Sequence, residues 1–234
     1  MTKVVSVVRS APGVVLAAML LLSAKANASS LLYQFDTPFP SDPSPAGSGP
    51  WIDASFQDVS GGVLLTITNV SLISGEFIQG NGSGANGGFF FNLNPNDNPN
   101  NLVFTSVYAN GNFGTSILTG ENAYKADGDG KYDIVFDFST HNFSVGSSIS
   151  YLISGIPGLN ADSFAYLSAP AGGSGPFYAA VHVMGLPPNA SNSTWVEPGG
   201  GPQVVPVPEP APAVLAAVSF GLWGALLRWR KRKA

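Results

Sequence analysis

An all-β body, an antiparallel β-sandwich or jelly roll, is the fold class this sequence predicts, and three observations predict it. Short runs of alternating apolar and polar residues recur along the middle of the chain. Clusters of Gly, Asn, Pro and Ser, such as GNGSGANGG and NPNDNPNN, separate these runs. Between them no apolar face returns at the three-to-four-residue spacing of a helix. Strands that follow one another without crossover helices pair antiparallel and stack as two layers.

Taken in order, the first run is 63–68 (VLLTIT), which places Val63, Leu65 and Ile67 on one face and both threonines on the other. The runs 89–93 (FFFNL) and 102–106 (LVFTS) are further strands. In 132–138 (YDIVFDF) the period of two is plain: Tyr132, Ile134, Phe136 and Phe138 are expected to face inward, Asp133 and Asp137 to face water. The runs 148–153, 163–167 and 177–184 complete the predicted set. The body is expected to span 29–197. The Pro/Gly-rich stretch 198–207, containing PGGGPQVVP, reads as a linker.

The two ends differ from this middle. Lys3 and Arg9 form a positive n-region, 11–23 is apolar, and Ala26-Asn27-Ala28 supplies the small-x-small pattern of a cleavage site before Ser29. Residues 1–28 therefore read as a signal peptide. At the other end 211–227 carries no charge and is followed by a basic cluster at 228–233. As a helix this run would span roughly 26 Å at ~1.5 Å per residue, a short but feasible transmembrane helix for a bilayer core about 30 Å thick. The basic cluster belongs on the cytoplasmic side, which places the body outside.

The order Pro208-Glu209-Pro210, apolar helix and Arg/Lys tail, over 208–234, resembles the PEP-CTERM sorting signal of exported proteins in Gram-negative bacteria. The resemblance implies that the chain is an exosortase substrate, first a membrane-anchored precursor and then a protein of the cell surface or extracellular space. It also implies association with exopolysaccharide and biofilm. Two stretches of the body, ADGDGKYDIVFDF and GPFYAAVHVMGL, resemble segments of other such proteins with β-rich bodies. The expected partners are signal peptidase and exosortase, the membrane through the C-terminal helix, and exopolysaccharide.

Charge is distributed unevenly. Between 29 and 207 lie thirteen of the fourteen acidic residues but only two of the ten basic ones, Lys125 and Lys131, so the body carries −11 against −4 for the whole chain. Such a domain repels nucleic acid and anionic lipid and can attract divalent cations. The chain has no cysteine. That excludes disulfides, zinc–thiolate sites and iron–sulfur clusters, and leaves stability to the core alone.

Candidate chemistry is sparse. Asp127, Asp129 and Asp133, spaced by glycines, suggest a calcium loop, the one cofactor considered. Aligning Gly130 with the loop's invariant glycine puts Lys125 and Phe136 where oxygen ligands belong, so a hairpin turn is the competing reading and no cofactor the default. Asp133 and Asp137 share a strand face about 13 Å apart at ~3.3 Å per residue, too far for a glycosidase pair, which spans roughly 5–9.5 Å. His141 and His182 are the only imidazoles, and neither a Gly-x-Ser-x-Gly elbow nor a His-Glu-x-x-His pair is present. Trp51 and Trp195, the body's only tryptophans, could stack on sugar rings or plug the core. The expected function is a non-enzymatic surface or matrix protein. A carbohydrate-binding module is the alternative, and a secreted hydrolase with a loop-assembled site the third reading.

Overall fold

The computed structural model describes residues 30–80, 87–127 and 129–205. The signal peptide with its cleavage residues Ala26, Ala28 and Ser29, the Pro208-Glu209-Pro210 motif and the C-terminal run all lie outside the described residues. No helix among the described residues is long and apolar enough to cross a membrane.

Among the described residues thirteen strands form: β1 (Ser30–Phe35), β2 (Thr37–Pro38), β3 (Ile52–Val59), β4 (Gly62–Asn69), β5 (Phe77–Ile78), β6 (Phe89–Phe91), β7 (Val103–Ala109), β8 (Ser116–Lys125), β9 (Lys131–Asp137), β10 (Ser148–Ser154), β11 (Ala179–Leu186), β12 (Asn192–Glu197) and β13 (Gln203–Val204). One sheet has the order β13-β1-β3-β4-β10-β7; the other runs β2-β12-β11-β6-β9-β8, with β5 also paired to β11. Every pairing among them is antiparallel. The fold is all-β, as the alternating runs predict.

Alternation explains which residues reach the core. In β4 Val63, Leu65 and Ile67 point inward, and in β1 Leu31, Tyr33 and Phe35 do the same. They meet Phe89 and Phe91 of β6, Ile134 and Phe136 of β9 and Val181 and Val183 of β11 in one cluster that joins the sheets. Aromatic pairs bridge the layers: the rings of Phe35 and Phe89 lie 4.7 Å apart and those of Phe56 and Phe91 5.1 Å. Full burial of each such side chain stabilises by roughly 1.5–3 kcal/mol. That is the kind of core a cysteine-free domain requires.

A second apolar layer covers the far side of the β6–β9–β11 sheet. It joins Phe39, Phe90, Tyr132, Val135, Phe177 and Trp195. Here the expectation for Asp133 and Asp137 fails, because both are buried. Their strand β9 is central in its sheet and covered on both faces, so its polar side is no solvent side. Tyr132, expected in the main core, packs in this second layer.

One further expectation is corrected. Residues 163–167 do not form a strand: Ala161–Phe164 is a short 3-10 turn. The Asn160 side chain accepts from Ser163 N while the Ser163 hydroxyl oxygen accepts from Asn160 N, a reciprocal cap that closes the backbone into a turn. The linker is partly structured, since Gln203 and Val204 pair with Leu32 and Leu31. Val205 N then donates to Ser30 O at 2.8 Å, so the described body begins and ends at the same point of one strand.

Candidate functional site

A cleft of about 200 Å³ opens at one end of the β6–β9–β8 sheet. Its floor is Asp133 of β9, and its walls include Asn92, Asp97, Glu121, Tyr166 and Leu167. Three features of the sequence build it. The chain leaves β6 through an asparagine-rich loop whose side chains fix the backbone: Asn94 Oδ1 accepts from Asn96 N and Asn98 Oδ1 from Asn100 N, both at 3.0 Å. A register shift in β8 between Thr119 and Tyr124 pushes Glu121 and Asn122 outward, with Asn122 at φ 50°, a conformation asparagine tolerates. The 3-10 turn at Ala161–Phe164 then directs Tyr166 and Leu167 to the opposite wall.

Asp133 holds these parts together. Its Oδ2 accepts from Leu93 N at 3.0 Å, and its Oδ1 accepts from Asn122 N at 2.7 Å. One buried carboxylate thus clasps the β6 loop to the β8 bulge, and its oxygens are committed to backbone amides. Asp97 is half-buried and Glu121 exposed, so these two present acceptors to the opening, beside the half-buried ring of Tyr166. The arrangement can accept hydrogen bonds from hydroxyl groups and offers an aromatic surface next to them. Sequence reasoning missed Asp97, Glu121 and Tyr166. They come from the loop after β6, the irregular stretch of β8 and the segment after the 3-10 turn, and no motif spacing links them.

The predicted site residues lie elsewhere or serve other ends. Trp51 is 3% exposed and its Nε1 donates to Ala46 O at 3.0 Å. Trp195 is 8% exposed, stacked on His182 with 4.3 Å between rings and packed against Phe39 and Phe90. Neither indole offers an open face, so of the two readings of Trp51 and Trp195 the burial fits packing rather than sugar stacking. His141 lies against the Phe77 ring at 4.1 Å.

The calcium set is likewise not assembled. Asp129 Oδ1 accepts from Ser174 N, Asp133 serves Leu93 and Asn122, and Asp127 is exposed at a turn position with φ 47°. Among the described residues no group of three or more His, Cys, Asp or Glu side chains is placed to hold a metal ion. The hairpin reading of this stretch fits better, since β8 and β9 pair directly across it at Lys125 and Lys131. Desolvation, with Asp42 and Asp129 nearby, raises the Asp127 carboxyl above its ordinary value.

Away from the cleft, Glu197 in β12 is raised from 4.5 to about 7, first by burial and then by the nearby Asp36. Comparisons with protein-family models, with curated proteins and with solved structures find no match to this chain.

Proposed function

We propose that this chain is a non-enzymatic bacterial surface or matrix protein. It is exported through 1–28, held in the membrane by 211–227 and sorted by an exosortase acting at Pro208-Glu209-Pro210. One observation of the fold carries the reading: Ser30 and Val205 are hydrogen-bonded neighbours. The body therefore hangs from its carrier segments at a single corner, with cleavage after Ala28 leaving β1 intact and the linker running from β13 toward the membrane. The acidic, cysteine-free body then stands clear of the anionic lipid surface. The test is Glu209→Ala in a Gram-negative host that has an exosortase. The expected result is precursor retained in the inner-membrane fraction, with unprocessed mass; normal release of the variant overturns the sorting assignment.

A second reading, carbohydrate binding, has its own support in the cleft at Asp133. Carboxylates that accept hydroxyl hydrogens beside an aromatic ring are a common way to hold a sugar. This reading replaces the tryptophans with Asp97, Glu121 and Tyr166. Affinity electrophoresis of the chain through gels containing the host's exopolysaccharide is expected to show retardation that Tyr166→Ala abolishes. Equal mobility with and without polysaccharide removes this reading. Release of reducing ends in the same mixture would instead point to the hydrolase.

A further inference from the structure

The four sheet edges are not alike. β2 is two residues long and contains Pro38, and β13 is also two residues long. β8 carries the register shift and the charges of Glu121 and Lys125. Short strands, proline, irregularity and charge are the devices that stop a sheet edge from pairing with another chain. β7 has fewer of them. It is seven residues long, VFTSVYA, with no charge, glycine or proline. Its single irregularity falls at Val107, where Ser150 pairs with Tyr108 and Tyr151 with Ser106, leaving 103–106 in regular register against β10. Among the described residues no strand pairs with its far side. Val103, Val107 and Tyr108 are 53%, 60% and 52% exposed, although β-branched and aromatic residues favour a covered sheet.

The surroundings of β7 say what covers it. No Asp, Glu, Lys or Arg occurs in 59–75, 98–120 or 138–161, so β4, β10 and β7 form three adjacent uncharged strands. The body's thirteen acidic residues all lie outside these strands, and two copies approaching by the faces that carry them meet like charge. The recess beside β7, about 270 Å³ and floored by Ile149 and Tyr151, is open on that same side. We infer that β7 is a docking edge for a second copy of this chain. The two β7 strands pair antiparallel about a two-fold axis, which makes the six-stranded sheets continuous. Such an interface is self-complementary, with main-chain hydrogen bonds supplying the affinity and the exposed valines and Tyr108 covering one another.

The absence of cysteine makes the test clean, because one introduced thiol is the only thiol. Full-length chain in detergent is compared with Thr105→Lys by sedimentation, and single cysteines at Val103, Thr105 and Val107 are oxidised alongside a control cysteine at Ser55 on β3. The expected result is a wild-type dimer, a monomeric Thr105→Lys protein with unchanged circular dichroism and melting temperature, and disulfide-linked dimer from at least one β7 site but not from Ser55. A wild-type monomer overturns the inference. So does a dimer that survives Thr105→Lys, or cross-linking as strong at Ser55 as on β7, either of which points to contact through the tail.

Discussion

At the scale of single residues, the polar groups of the interior act as braces. Glu76 is fully buried, its Oε1 accepting from Ala46 N at 2.8 Å and its Oε2 from Ile73 N at 3.1 Å. Asp133 does the same for Leu93 and Asn122. Removing such an acceptor leaves the amides unsatisfied, at about 1–3 kcal/mol each when they stay buried. Asp133→Ala is expected to lower stability by about 2–4 kcal/mol on that basis, and Asp133→Asn by less, since its carbonyl oxygen still accepts one bond. Urea unfolding followed by tryptophan fluorescence measures both, and equal midpoints for alanine and wild type would refute the bracing role. Glu197 gives a pH-dependent case. Its folded value of about 7 lies above the ordinary 4.5, so the folded state holds the proton more tightly than the unfolded chain. The stability this contributes is full below about 4.5 and is lost as pH rises through about 7. Asp53 and Asp127 are raised too and act in the same direction, so the informative quantity is a difference. Over that window the melting temperature of Glu197→Gln is expected to fall less than that of the wild type; parallel curves would remove Glu197 as the source.

At the scale of elements, turns and covered faces decide what a local pattern becomes. Gly61, in the turn between β3 and β4, has φ 93° and open space where a Cβ would stand. Gly88, entering β6, has φ 115°, and a Cβ there would lie 2.1 Å from Phe136 O. Alanine at Gly61 meets only backbone strain, about 1–2 kcal/mol. Gly88→Ala must also displace β9, so it is expected to cost clearly more than Gly61→Ala by thermal melting, and a reversed order would contradict the packing of β6 on β9. The same logic separates what the sequence discloses from what it hides. VLLTIT was readable as β4 because one face meets the core and the other is partly exposed. YDIVFDF was readable as a strand, but its aspartates were misplaced, since periodicity cannot report a second layer built from Phe39, Phe177 and Trp195. Residues 163–167 went astray because a cap between Asn160 and Ser163 outweighs a short apolar alternation. The cleft had no local signature at all: Asp97, Glu121 and Tyr166 meet only once two loops and the irregular part of β8 are folded together.

At the scale of the whole molecule, charge is the property the sequence discloses most fully. With two lysines against thirteen carboxylates, the body has few attractive pairs to lose and much self-repulsion to relieve. Folding brings Asp36 near Glu197, and Asp42 and Asp129 near Asp127. Screening shortens the reach of such repulsion to a Debye length of about 8 Å at physiological ionic strength and about 3 Å at 1 M. Monovalent salt is therefore expected to raise the melting temperature steadily, against the fall seen where surface ion pairs dominate. Calcium is expected to do no more than an equal ionic strength of magnesium, because Asp129 and Asp133 already bind Ser174, Leu93 and Asn122 through their carboxylates. A melting temperature that drops with sodium chloride would show that attraction outweighs repulsion in this fold. A rise specific to calcium, abolished by chelation, would show that the acidic turn at Asp127 rearranges to take a cation.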